Sequence, residues 1–187
     1  MVSERQERPQ LRRIARIAAV LLLCCDAEPC VAADSNLEYG VKAAFLLNFT
    51  KFAEWPPTAF SDPQAGIAIC ILGSDPFGHS IDDVVQGEVV DGRKVLVRRI
   101  SQPPEPQMCQ VLFVDPALKE PAKILEGLPP GVLTVGEGAR FLRDGGMVSF
   151  VIENRRVRFD INITASENGH LKLSSKLLSV ARSVASK

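Results

Sequence analysis

The most regular pattern in the chain lies between Gly145 and Ile163, GGMVSFVIENRRVRFDINI. Val157, Phe159, Ile161 and Ile163 alternate with Arg156, Arg158, Asp160 and Asn162. A period of two predicts a strand with one buried face and one wet face. Met147 to Ile152 is almost wholly apolar and reads as a strand covered on both faces. Glu153-Asn154-Arg155 separates the two, and Asn tolerates the positive φ of a tight turn. The segment is predicted to be an antiparallel hairpin, with the rest of the chain laid around its sheet.

A helix is predicted over Leu37 to Glu54, with Val41, Ala44, Phe45, Asn48, Phe52 and Trp55 on one face. Leu46, Leu47 and Phe49 widen the apolar surface beyond one stripe, so this helix is expected to be deeply buried or shared with a partner. Lys42, Lys51 and Glu54 are expected to cover what remains, and Trp55-Pro56-Pro57 to end it. Further short strands are predicted at 66–72, 89–90 with 94–100, 110–114 and 132–135. Between them come short helices at 77–85, 117–127 and 136–143 and a proline-rich loop at 101–106. Asn168-Gly169 breaks the chain, and a final helix capped at Ser174 or Ser175 is expected to bury Leu177, Val180, Ala181 and Val184. Short buried strands alternating with short helices predict an α/β domain, parallel in its first half and closed by the antiparallel hairpin.

The first 33 residues depart from this pattern. Five arginines precede a short apolar run, Ile17 to Cys25, and Val31-Ala32-Ala33 offers small residues for cleavage. The run is too short for a spanning helix, which needs about 20 residues, and reads as a signal peptide cleaved after Ala33. Residues 34–187 then make one exported domain. It carries 17 Lys and Arg against 18 Asp and Glu, a balance that favours neither nucleic acid nor an anionic membrane. Only Cys70 and Cys109 remain beyond the leader, consistent with one disulfide or with two buried free thiols.

Candidate chemistry is sparse. His79 and His170 are far apart, and neither has a partner at metal-ligand spacing. No carboxylate pair stands out, and neither G-x-S-x-G nor H-E-x-x-H occurs. No cofactor is expected. The loop Gly73 to Gly78 joins a strand to a helix start, a place where backbone donors can hold an anion, although a plain tight turn is the favoured reading of the residues. Two basic clusters stand out, Arg98-Arg99 and Arg155-Arg156 with Arg158. Arg156 and Arg158 share one exposed strand face, either simply solvated or forming an ionic rim around a protein contact.

The ordered set KAAFLLNFTKFAEWP, ILGSDPFG, CQVLFVD, LTVGEG, GGMVSFVIENRRVRFDINI and LKLSSKLLSVAR resembles the YfiR-like family of periplasmic proteins, from about Tyr39 to Val184. The resemblance implies a regulator rather than an enzyme. It implies repression of an inner-membrane diguanylate cyclase through that enzyme's periplasmic sensor region, lowering cyclic di-GMP and biofilm output. It also implies possible sequestration by an outer-membrane lipoprotein, a homodimer, and a disulfide matched by Cys70 and Cys109. A second family disulfide near the hairpin has no counterpart, since no cysteine follows Cys109. Two other classes stay in view: a small-molecule sensor using the loop at Gly73 to Gly78, and an enzyme whose residues meet only in space.

Overall fold

In the computed structural model the backbone of residues 30–186 and the side chains of residues 36–186 are described. The expected leader falls mainly on residues 1–29, outside the described residues. The sheet is built from the segments whose apolar runs predicted it. β2 (Ile67–Leu72) is buried at all six positions and β5 (Val111–Val114) at all four. They lie side by side at the centre of an eight-stranded sheet.

α1 (Cys30–Phe52) leads into β1 (Ala53–Glu54) and a single 3₁₀ turn at Pro57–Ala59. After β2 come α2 (His79–Val85), β3 (Val89–Val90) and β4 (Arg93–Ile100). β5 is followed by α3 (Pro121–Glu126), β6 (Leu133–Glu137), α4 (Gly138–Arg143) and β7 (Val148–Glu153). The chain closes with β8 (Arg156–Asn162), α5 (Ile163–Asn168), β9 (Lys172–Leu173), α6 (Ser175–Val180) and β10 (Ser183–Ala185).

The sheet order is β10-β8-β7-β6-β5-β2-β4-β3, and β1 pairs with β9 in a separate two-stranded ribbon. β2, β4, β5, β6 and β7 are parallel, and β7–β8 is the antiparallel hairpin. Winding reverses between β2 and β5. α2 serves the β4 side and packs with α1 on one face, while α3 and α4 serve the β6–β7 side and pack on the other. Right-handed crossovers require this switch of face. The larger core lies under α1 and α2, with Phe49, Ile69, Phe113, Phe150 and Phe159 among its members. The smaller core lies under α3 and α4 and holds Cys70, Leu112, Cys109 and Phe141.

Four expectations need correction. First, α1 buries Lys42, Ala43, Leu46, Leu47, Phe49 and Thr50, not the Val41–Phe45–Asn48–Phe52 stripe. That stripe is a half-exposed flank, and Ala53-Glu54 leaves the helix to pair with Leu173 and Lys172. Second, Asp160 is only 5% exposed, because β10 pairs along Asp160–Asn162 and Arg182 reaches its carboxylate. Third, β8 ends at Asn162, whose side chain accepts from the Ala165 backbone N–H and starts α5 at Ile163. Fourth, the last helix stops at Val180. Ser174 caps it by accepting from the Leu177 N–H, but Ala181 turns extended and the chain becomes β10. Val180 and Val184 are therefore exposed, and only Leu177 of that stripe is buried.

Candidate docking surface

The hairpin turn is two residues, Asn154 and Arg155, both at positive φ (50° and 60°). This is the backbone that twists correctly between right-twisted strands. Phe150 is opposite Phe159, and Ile152 is opposite Val157. With a period of two, these four side chains share the face under α1. Phe45 on α1 packs against both Phe150 and Phe159, with ring centroids 6.1 and 5.4 Å apart. Beyond that contact the strand face runs out into solvent: Ile152 is 54% exposed. It is not covered on both faces as its apolar run predicted, because the hairpin tip projects past the helix packing.

Leu37, Val41 and Phe45 stand at i, i+4, i+8, one above another on the same flank of α1. Leu37 is 71% and Val41 38% exposed. The other end of the flank is covered, since Lys176 of α6 lies over the Phe52 ring and Leu178 packs into the same core. The apolar flank is thus closed at its C-terminal end and open where it meets the hairpin.

α1 is also tied to the sheet by a buried cation that sequence reading placed on the surface. Lys42 is 1% exposed. Its Nζ donates to Glu137 Oε1 at 2.9 Å and pairs with Glu38 at 2.5 Å, and it sits 4.2 Å from the Tyr39 ring centroid. Burial alone pulls its pKa down, but hydrogen bonds to the two carboxylates outweigh that and leave it raised, so the ammonium stays charged. The signal available in sequence was the i, i+4 spacing of Glu38 and Lys42; Glu137 lies at the end of β6 and is brought in only by the fold. Beside this tie is a hollow of about 280 Å³ lined by Lys42, Glu137, Gly138, Phe150, Val151 and Ile152.

Arg156 and Arg158 lie on the opposite face of β8 from Val157, and both are exposed. Among the described residues, neither they nor Arg155 makes an ion pair. The other cluster differs. Arg99 donates to Asp75 and Asp82 and to the Gly78 carbonyl, while its neighbour Arg98 is simply exposed. The structure therefore separates one engaged arginine from three unengaged ones at the hairpin.

The loop Gly73 to Gly78 lies at the carboxyl end of β2, beside β5, where the winding reverses and α/β sheets most often bind ligands. Its donors are already in use. The Ser74 and Ala117 N–H groups donate to Asp115, and those of Phe77 and Gly78 to Asp75. Burial pushes the Asp115 pKa up, but these N–H groups prevail and hold it low, so a fixed carboxylate fills the place an anion would take.

Cys70 of β2 and Cys109, just before β5, are joined as a disulfide in the smaller core, with Cα atoms 5.8 Å apart. His79 and His170 are both exposed. Among the described residues no group of three His, Cys, Asp or Glu is placed to hold a metal, and no helix is long and apolar enough to cross a membrane.

No match to the chain was found among curated proteins. A family model described as YfiR/HmsC-like matches residues 39–182, from Tyr39 within α1 through the hairpin to the arginine that clasps Asp160. With most of its length matched, the chain belongs to the YfiR/HmsC-like family.

Proposed function

We propose that this protein is a periplasmic regulator that acts by binding proteins rather than by catalysis, and that it represses an inner-membrane diguanylate cyclase by docking on that enzyme's periplasmic sensor region. Family membership supports the cyclase as target. The observation that supports binding is the exposure of Leu37 and Val41 on α1 and of Ile152 on β7. A monomer rarely leaves apolar side chains contiguous and uncovered unless something covers them in use. Arg156 and Arg158, exposed on the other face of β8, make a second, charged contact. An outer-membrane lipoprotein that sequesters the protein would free the cyclase, and the free protein is a homodimer.

Intracellular cyclic di-GMP in the native host tests the reading. Deleting the gene should raise it and restoring the gene should lower it again. An unchanged level in both strains would remove cyclase repression as the function.

A further inference from the structure

We propose that the outer edge of β4 takes an extended, acidic segment of another protein as a further strand of the sheet. This goes beyond the cyclase reading and does not rest on it. β4 spans Arg93 to Ile100, yet β3 pairs only with Arg93 and Lys94. Val95 donates to the Glu88 carbonyl, where the chain arrives from α2, and there the cover ends. The Ile100 carbonyl accepts from the Gly73 N–H just past β2. Even positions of β4 therefore turn their backbone groups to β2, and odd positions turn them outward. Val97 and Arg99 each offer an outward N–H and C=O, and among the described residues none of these four groups has a partner. Free groups on alternate residues match the bonding edge of an added strand of about five residues. A helix keeps its own backbone groups bonded internally and cannot use them.

The side chains along this edge select the strand. Lys94, Leu96 and Arg98 share one face of β4 by period two, the face turned from α2. Val89 joins them, because it lies directly opposite Lys94. All four are exposed, Leu96 by 43% and Val89 by 56%. Among the described residues neither Lys94 nor Arg98 is in an ion pair. Arg99, on the other face, is held by Asp75 and Asp82, and Glu88 is held by Lys51. An incoming strand thus meets an apolar side chain between two unneutralised cations, and carboxylates on that face engage both. The same charges exclude a second copy. With Glu88 opposite Val95, two β4 edges can pair antiparallel only about Arg98 or Arg99, which sets like arginines face to face.

The test begins with the full chain in the native host. A photo-crosslinking residue, p-benzoylphenylalanine, replaces Leu96 or, as a control, the exposed Val180 of α6. The crosslinked peptides are sequenced. Position 96 should capture an acidic segment of one other protein, and position 180 should not. That segment, made as a synthetic peptide, is then added to the purified protein. It should slow amide hydrogen exchange at Val97 and Arg99 on the order of tenfold, and leave Leu96 and Arg98, already bonded to β2, unchanged. Arg98→Glu should weaken peptide binding about tenfold with no change in melting temperature. Val97→Pro removes only an outward N–H and should abolish binding; where that variant does not fold, Arg98→Glu decides. No capture at 96 above that at 180, capture of a second copy of this chain, or a captured segment without acidic residues would each overturn the proposal. So would peptide binding that leaves Val97 and Arg99 exchanging freely, or that is indifferent to Arg98→Glu.

Discussion

At the scale of single residues, two positions decide more than their chemistry suggests. Phe141 of α4 is wedged between Gly136 and Gly146: a Cβ at Gly146 would lie 2.2 Å from the ring, and one at Gly136 2.5 Å away. Gly146→Ala should therefore cost about 1–3 kcal/mol by overpacking, measured by urea unfolding. Asp160 is held by Arg182, whose guanidinium donates to both carboxylate oxygens at 2.8 and 2.5 Å. Those hydrogen bonds, against the opposing effect of burial, keep its pKa below the usual carboxylate range. A depressed folded-state pKa gives stability that is present above the ordinary value of about 4 and lost as pH falls through the folded one. The melting temperature of Asp160→Asn should accordingly fall furthest below that of the unaltered protein near neutrality, and the gap should close toward pH 3. Sequence alone put Asp160 on a wet face because its strand alternates cleanly. Nothing in that alternation announces that Arg182, distant in sequence, arrives with an edge strand.

At the scale of elements, the central strands were readable because their environment is uniform. β2 and β5 are buried throughout, so an apolar run is the whole signal, and the hairpin was readable because Asn154 supplies the turn. α1 was misread because it is apolar all round. When every flank is apolar, periodicity cannot choose the inward one; here it is the flank that carries Leu46 and Phe49 into the core and Lys42 to Glu137. Removing that tie should cost mainly volume, since Glu38 and Glu137 are part-exposed and can take up water. Lys42→Ala should lose about 2–3 kcal/mol and Lys42→Met less than about 1.5 kcal/mol in thermal unfolding. The terminal segment was misread because pairing with β8 outweighs helix periodicity after Val180. Between β2 and β5 the disulfide closes a loop with a sequence separation of 39. On the chain-entropy model that loop is worth about 4 kcal/mol. Reduction, or Cys70→Ala, should lower the melting temperature by roughly 10 °C, and an unchanged melting curve would show that the bridge does not constrain the unfolded chain.

At the scale of the molecule, residues 36–187 form one compact unit whose sheet has unequal edges. One edge is β3, only two residues long; the other is β10, three residues long and exposed at each. Deleting residues 181–187 would strip β10 and Arg182 from β8, leaving Asp160 unpaired and Phe159 to Asn162 as a bare edge. The truncated chain should aggregate where the full chain does not, by light scattering at equal concentration. Sequence reading named Arg156 and Arg158 as a rim and α1 as a helix to be shared with a partner, but it could not relate the two in space. Leu37 and Val41 lie more than a hundred positions from Ile152 and the hairpin arginines, and only the packing of Phe45 on Phe150 and Phe159 brings the two segments together.

That packing also bears on how the protein is made. α1 is synthesised first, yet its aromatic side chains find their places against Phe150 and Phe159, and Ala53 pairs with Leu173. Until nearly the whole chain is available, a helix with apolar residues on every flank has nowhere to put them. These contacts join residues more than a hundred positions apart and are expected to close late, after local pairings such as the β7–β8 hairpin. A chain with α1 still uncovered is expected to aggregate more readily than one of the same size built from local contacts.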